Sequence, residues 1–186
     1  MIDWEGTWAA YDEDTYAAAL ALVPPGAVVL DIGAGDLRFA RRLAGRARLV
    51  YAVERRPELL VGGAPGNVRL VCADARDWPF PPGLDAAVLL MRHCAHFALY
   101  RRKLVAAGGR WLITNARWGM GVEGIDLARP VRAYDDLALG WYACRCGATG
   151  FQAGPSAALT AAVLDTVHEV DRCPGCNDGR SGIRFA

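Results

Sequence analysis

A nearly all-apolar run, Val28-Val29-Leu30-Asp31-Ile32, stops at Gly33-Ala34-Gly35, and helical spacing resumes at once through Leu37, Ala40 and Leu43. A strand apolar on both faces must be covered on both, which is the environment of a parallel sheet between helices. The same unit recurs along the chain. Further strands are expected at residues 48–53, 68–72, 85–91 and 110–114, with a helix over 94–106 and a short helical turn opened by Pro57. This alternation predicts an α/β fold with a mostly parallel central sheet flanked by helices. Ahead of it, residues 12–23 read as a helix stopped by Pro24-Pro25-Gly26. With 53% hydrophobic and 22% charged residues in 186, a packed core of about single-domain size is expected.

After Asn115 the period is lost. Residues 117–139 hold Gly119, Gly121, Gly124 and Pro130 among scattered aromatics, and an irregular arm is expected there. The expected organisation is a core over residues 1–140 that includes this arm, and a C-terminal segment over 141–186 packed on it.

The acids sit at corresponding places. Asp31 precedes the glycine loop, Glu54 closes the second strand 23 positions later, and Asp74 closes the third. In a parallel sheet these strand ends face one side, where a glycine loop lets a ligand approach the backbone. Glu54 stands about where a carboxylate takes the hydroxyls of a ribose. A dinucleotide site is the nearest rival, but its third glycine is replaced by Arg38. Asp31 also suits a ligand with a positive amino-acid group better than a pyrophosphate.

With these residues in order, residues 27–115 resemble the class I S-adenosylmethionine-dependent methyltransferase family. Leu30-Asp31-Ile32-Gly33-Ala34-Gly35 resembles its first motif, Glu54 its ribose-binding acid, and Ala73-Asp74-Ala75 the loop whose Asp meets the adenine amine. Gly108-Gly109-Arg110-Trp111-Leu112-Ile113 resembles the approach to its fifth strand. The resemblance implies a Rossmann-like fold and S-adenosyl-L-methionine as cofactor, held by Asp31, Gly33, Gly35, Glu54, Asp74 and Ala75. It also implies that Met91-Arg92-His93-Cys94-Ala95-His96-Phe97 faces the transferred methyl group. This loop lacks the Asn-Pro-Pro-Tyr type of motif of many amino-directed DNA methyltransferases. His93 is the candidate general base, by imidazole's near-neutral titration, with orientation of the following helix as its other role. His96 is the weaker of the two imidazoles for that role. Tyr16 is expected in the core, while Tyr11 stays open between core and closure over the cofactor.

Cysteines supply the second motif. Cys144-Arg145-Cys146 and Cys173-Pro174-Gly175-Cys176 are separated by 26 intervening residues around one apolar helix, expected over 157–164. Four thiolates make a closed tetrahedral zinc site, hence a structural role. The short first spacing leaves His168 open as a replacement ligand, and a redox Cys-x-x-Cys is the competing reading. Cys72 and Cys94 are expected to be buried apolar residues.

The 21 basic and 20 acidic residues leave a net charge of +1, which does not indicate nucleic acid as a partner, although a local patch remains open. A zinc-ribbon module that binds RNA or protein on a degenerate cofactor fold is the alternative to an enzyme. The longest uncharged apolar run is broken by Pro24-Pro25-Gly26, and acids stand where a secretory signal carries basic residues. The expectation is therefore no membrane segment, a cytoplasmic location, and a methyl acceptor whose class the residues do not reveal.

Overall fold

The computed structural model describes residues 9–92, 94–118 and 121–176. Helix α1 (Glu13–Leu22) starts at Asp12, whose carboxylate accepts from the Thr15 N–H at 2.7 Å, and ends at Val23 before the two prolines. Strand β1 (Val28–Ile32) is buried along its whole length. Helix α2 (Arg38–Ala44) begins just after Leu37, the first residue of its apolar spacing, because Leu37 sits at φ +67°. Strands β2 (Leu49–Glu54), β3 (Val68–Cys72) and β4 (Ala86–Leu89) follow, then helix α3 (Phe97–Ala106) and β5 (Trp111–Thr114).

These strands lie in the order β3-β2-β1-β4-β5, all parallel. Strand order reverses between β1 and β4, which opens a crevice beyond their C-terminal ends. Val29 faces α1 and α2, packing with Tyr16, Ala19, Phe39 and Leu43, while Leu30 and Ile32 face α3 and its Phe97, Tyr100 and Leu104. A single strand thus feeds two cores on opposite faces of the sheet, which is the Rossmann-like arrangement.

Within residues 121–139 the chain forms short pieces of regular structure between loops. It adds β6 (Glu123–Asp126), antiparallel on β5, and β7 (Arg132–Ala133). Strand β7 belongs to a second, four-stranded sheet of order β7-β10-β8-β9, built with β8 (Gly140–Cys144), β9 (Thr149–Gln152) and β10 (Val167–Asp171). The small sheet therefore starts before residue 141. Its helix α4 is confined to Ala161–Leu164, capped by the Thr160 hydroxyl, because Ser156–Ala158 form a separate 3₁₀ turn after Pro155. No described helix is long and apolar enough to cross a membrane.

Candidate active site and candidate metal centre

A cleft of about 510 Å³ opens at the C-terminal ends of β1–β4 and is walled by the N-terminal residues Ala9–Asp12 and by Tyr100 of α3. Gly33 turns the chain at φ +74°, and its N–H and that of Ala34 both donate to the Val53 carbonyl, at 2.9 and 3.0 Å. A Cβ on Gly33 would come within 3.2 Å of Met91 Cε. Bare backbone is thus held beside the loop that follows β4.

Of the residues read as cofactor-binding, Gly33, Glu54, Asp74 and Ala75 line this cleft. Asp31 and Gly35 are not among the residues that line it. The Gly35 N–H donates to Glu54 Oε2 at 3.0 Å, while Glu54 Oε1 accepts from the Arg56 N–H and from Arg56 Nε, each at 3.0 Å. Only 4% of the Glu54 side chain is exposed. Asp74 accepts from the Arg76 backbone at 2.9 Å and from its guanidinium at 2.5–3.0 Å. The Arg76 hydrogen bonds hold its carboxyl down at about 2, so Asp74 stays charged. Each cleft-side acid thus pairs with the arginine two residues on. That acid-x-Arg pattern, repeated in Asp36-Leu37-Arg38, was visible in the sequence and went unused.

Asp31 is 4% exposed, and its Oδ2 has no hydrogen-bond partner. Burial, and then the neighbouring Glu54 charge, push its carboxyl up to about 7. Asn115, just beyond β5, is likewise buried with neither side-chain polar atom bonded.

Tyr11 lies at the cleft. Its hydroxyl accepts from the Arg92 N–H at 3.0 Å, and the Arg92 guanidinium lies 5.2 Å from its ring centre. Tyr16 is in the core, stacked on Phe39. His96 flanks the start of α3, with Nε2 3.5 Å from Arg76 Nη1. His93 lies outside the described residues.

The second centre is in the small sheet. The Sγ atoms of Cys144, Cys146, Cys173 and Cys176 all lie within 4.8 Å of one another. Cys144–Cys176 and Cys146–Cys173 are 3.6 Å apart, and Cys173–Cys176 3.9 Å. A tetrahedron with metal–sulfur bonds of about 2.3 Å has edges of roughly 3.8 Å. The sulfurs therefore stand at the spacing of a four-thiolate site. His168 is not part of the group: it pairs with Tyr142, two residues short of Cys144 along β8. Cys94 is buried as expected, but Cys72 is exposed, because β3 is the edge strand of the main sheet.

Sequence reasoning missed Arg117. Its guanidinium, 1% exposed, reaches Glu123 of β6 at 2.7 and 2.8 Å and Glu169 of β10 at 2.6 and 2.9 Å. Burial works against its charge, yet the hydrogen bonds to the two carboxylates outweigh it and hold the proton more tightly than in a free arginine. One side chain thereby ties the small sheet to the edge of the large one.

No curated protein matches the chain. Among solved structures, the chain is similar to precorrin 8W decarboxylase from Methanobacterium thermoautotrophicum, at 26% identity and TM-score 0.48 over 59% of this chain and 66% of that one. It is similar to the 23S rRNA methyltransferase ErmE at 26% identity and TM-score 0.49, over 56% of this chain and 46% of that one. It is also similar to precorrin-6y C5,15-methyltransferase from Geobacter metallireducens GS-15, at 19% identity and TM-score 0.47, over 60% and 68%. The chain thus spans less than two thirds of the length of the first two. Residues 30–118 match the family model described as methyltransferase domain. This segment, just under half of the chain, runs from within β1 past the end of β5 and is similar to a methyltransferase domain.

Proposed function

We propose that the chain is an S-adenosylmethionine-dependent methyltransferase with a structural zinc in its C-terminal sheet. The observation that carries the reading is Glu54, a nearly buried carboxylate held at the cleft by the Gly35 N–H and by Arg56. It is the group to take the ribose hydroxyls, with Asp74 and Ala75 at the adenine and the bare backbone of Gly33 against the cofactor's chain. Two features fit that ligand: the orphaned Asp31 Oδ2, which favours a nearby ammonium, and the glycine surface that a Cβ would fill.

When bound, the cofactor supplies an already activated methyl group, so the residues' main work is to align an acceptor with it. Tyr11, Met91 and Arg92 form the wall where an acceptor meets the cleft, and His93 is the proposed general base. Cys144, Cys146, Cys173 and Cys176 would hold the zinc and, as four ligands, leave no position for a substrate. The reading keeps residues 1–140 as the cofactor-binding core and 141–186 as the metal-holding segment, with β7 pairing across that division. A cytoplasmic location accords with six free cysteines.

The test is binding followed by turnover. S-adenosylhomocysteine should raise the melting temperature, and labelled methyl donor should pass to one fraction in a screen of RNA, protein and small molecules. An unchanged melting temperature at saturating S-adenosylhomocysteine removes the enzyme reading and favours the zinc-ribbon binding module.

A further inference from the structure

We infer that the cysteine centre, through Phe97 and Arg117, positions the start of α3 and with it the loop on which the acceptor meets the cleft. The inference rests on the methyltransferase and zinc readings above and assigns the metal a place in the working geometry, beyond bracing the C-terminal segment.

Contact at the knuckle is direct. Gly147, which follows Cys146, sits at φ +102°, and a Cβ there would fall 3.0 Å from Cδ1 and 3.3 Å from Cβ of Phe97. The knuckle backbone is therefore seated on the first residue of α3. Its own shape is set by the Gly147 N–H donating to the Cys144 carbonyl at 2.9 Å and by the Cys144 N–H donating to the Ala148 carbonyl at 2.7 Å. Two of the four thiolates belong to this turn, so a bound metal locks the surface that Phe97 touches.

Arg117 closes the other side. Its guanidinium lies 5.8 Å from the Phe97 ring centre while it grips Glu123 and Glu169. One turn along α3, Arg101 is half-buried in the field of Arg145, Glu169 and Arg117, on the helix face that carries Phe97. Tyr100, between them in sequence, lines the cleft, and Leu90, Met91 and Arg92 line it just ahead of the helix. Helix α3 thus presents one face to the cleft and another to the metal sheet. Gly33, Glu54 and Asp74 come instead from the ends of β1–β3, in the other half of the main sheet.

Hydrogen exchange on the full chain tests this. Metal content is measured first; a protein that binds no metal fails the zinc reading itself, before any exchange is read. In the zinc-loaded protein, chelation should speed exchange of the amides of residues 97–104 by about tenfold or more, with return on re-adding zinc, while S-adenosylhomocysteine affinity holds. Exchange that rises only within residues 140–176 overturns the inference. Because chelation can loosen more than one region, Arg117→Met is read in the zinc-loaded state, where residues 97–104 should again lose protection with metal content unchanged. Arg117→Lys should restore part of that protection, as a single cation between two carboxylates still can. Wild-type protection at 97–104 in zinc-loaded Arg117→Met also overturns the inference.

Discussion

Gly35 and Glu54, nineteen residues apart, are joined by a 3.0 Å hydrogen bond from the glycine N–H to the carboxylate. The bond fixes the direction of the acid at the end of β2 from the loop at the end of β1. Two motifs that the sequence shows separately are therefore one device: the glycine loop aims the carboxylate.

Glu54→Gln keeps an oxygen for the Gly35 N–H but removes the charge. A hydrogen bond to a charged group contributes roughly 1.5–3 kcal/mol, so S-adenosylhomocysteine should bind about 10- to 150-fold more weakly. Isothermal titration measures it. An unchanged dissociation constant takes Glu54 out of the ribose role.

Asp31 is expected to make both stability and the proposed cofactor binding depend on pH. Its carboxyl, pushed up from 3.8 to about 7 by burial and by Glu54, holds its proton more tightly in the folded chain than in the unfolded one. The folded state thus binds more protons between those values, so this group's effect on stability worsens as pH rises from about 4 to about 7 and then levels off. Asp31→Asn should flatten that fall, which amounts to a few kcal/mol at an order-of-magnitude level. Urea unfolding at pH 5 and pH 8 decides it; parallel slopes for the two proteins would falsify the assignment. A bound ammonium favours the charged carboxylate, so S-adenosylmethionine should also bind more tightly as pH rises through neutrality. Titration at pH 6 in buffers of different ionisation enthalpy should show a released proton.

One zinc per chain is expected in protein purified without chelator, and Cys173→Ser should lower that content. Apparent binding free energies of structural zinc run about 10–16 kcal/mol in small finger peptides, and that energy is folding energy. Here a separate parallel sheet has its own two cores, so chelation should leave it folded. Elemental analysis returning no stoichiometric metal, with four titratable thiols in the segment, sinks the site. Loss of metal in His168→Ala alone would bring that residue back as a ligand.

Arg117→Met leaves Glu123 and Glu169 facing each other without the cation between them. Breaking a buried pair costs about 3–5 kcal/mol. The two carboxylates are 25% and 27% exposed, so the lower end, about 3 kcal/mol, is expected from urea unfolding. A change under about 1 kcal/mol would mean that water satisfies both acids.

What the sequence determined by itself is what local pattern and chain order carry. Short apolar runs alternating with helical spacing and punctuated by glycine point to strands of a parallel sheet, so β1–β5 were readable to within a few residues, even the largely exposed edge strand β3. The strand-end acids followed, because a parallel sheet puts all C-terminal ends on one side. Four cysteines in two close-spaced pairs named a candidate metal site, since ligand type and spacing are carried by chain order alone. What only the tertiary structure decided depends on partners distant in sequence. Arg117 stands in a stretch without period, and its meaning lies in Glu169, 52 residues on, which pairing of β10 with β8 brings within 2.6 Å. Asp31's orphaned oxygen, Tyr11's bond to the Arg92 amide and the seat of Gly147 on Phe97 are of the same kind. Each is a matter of desolvation or contact between elements, and neither exists until the sheets and helices have packed.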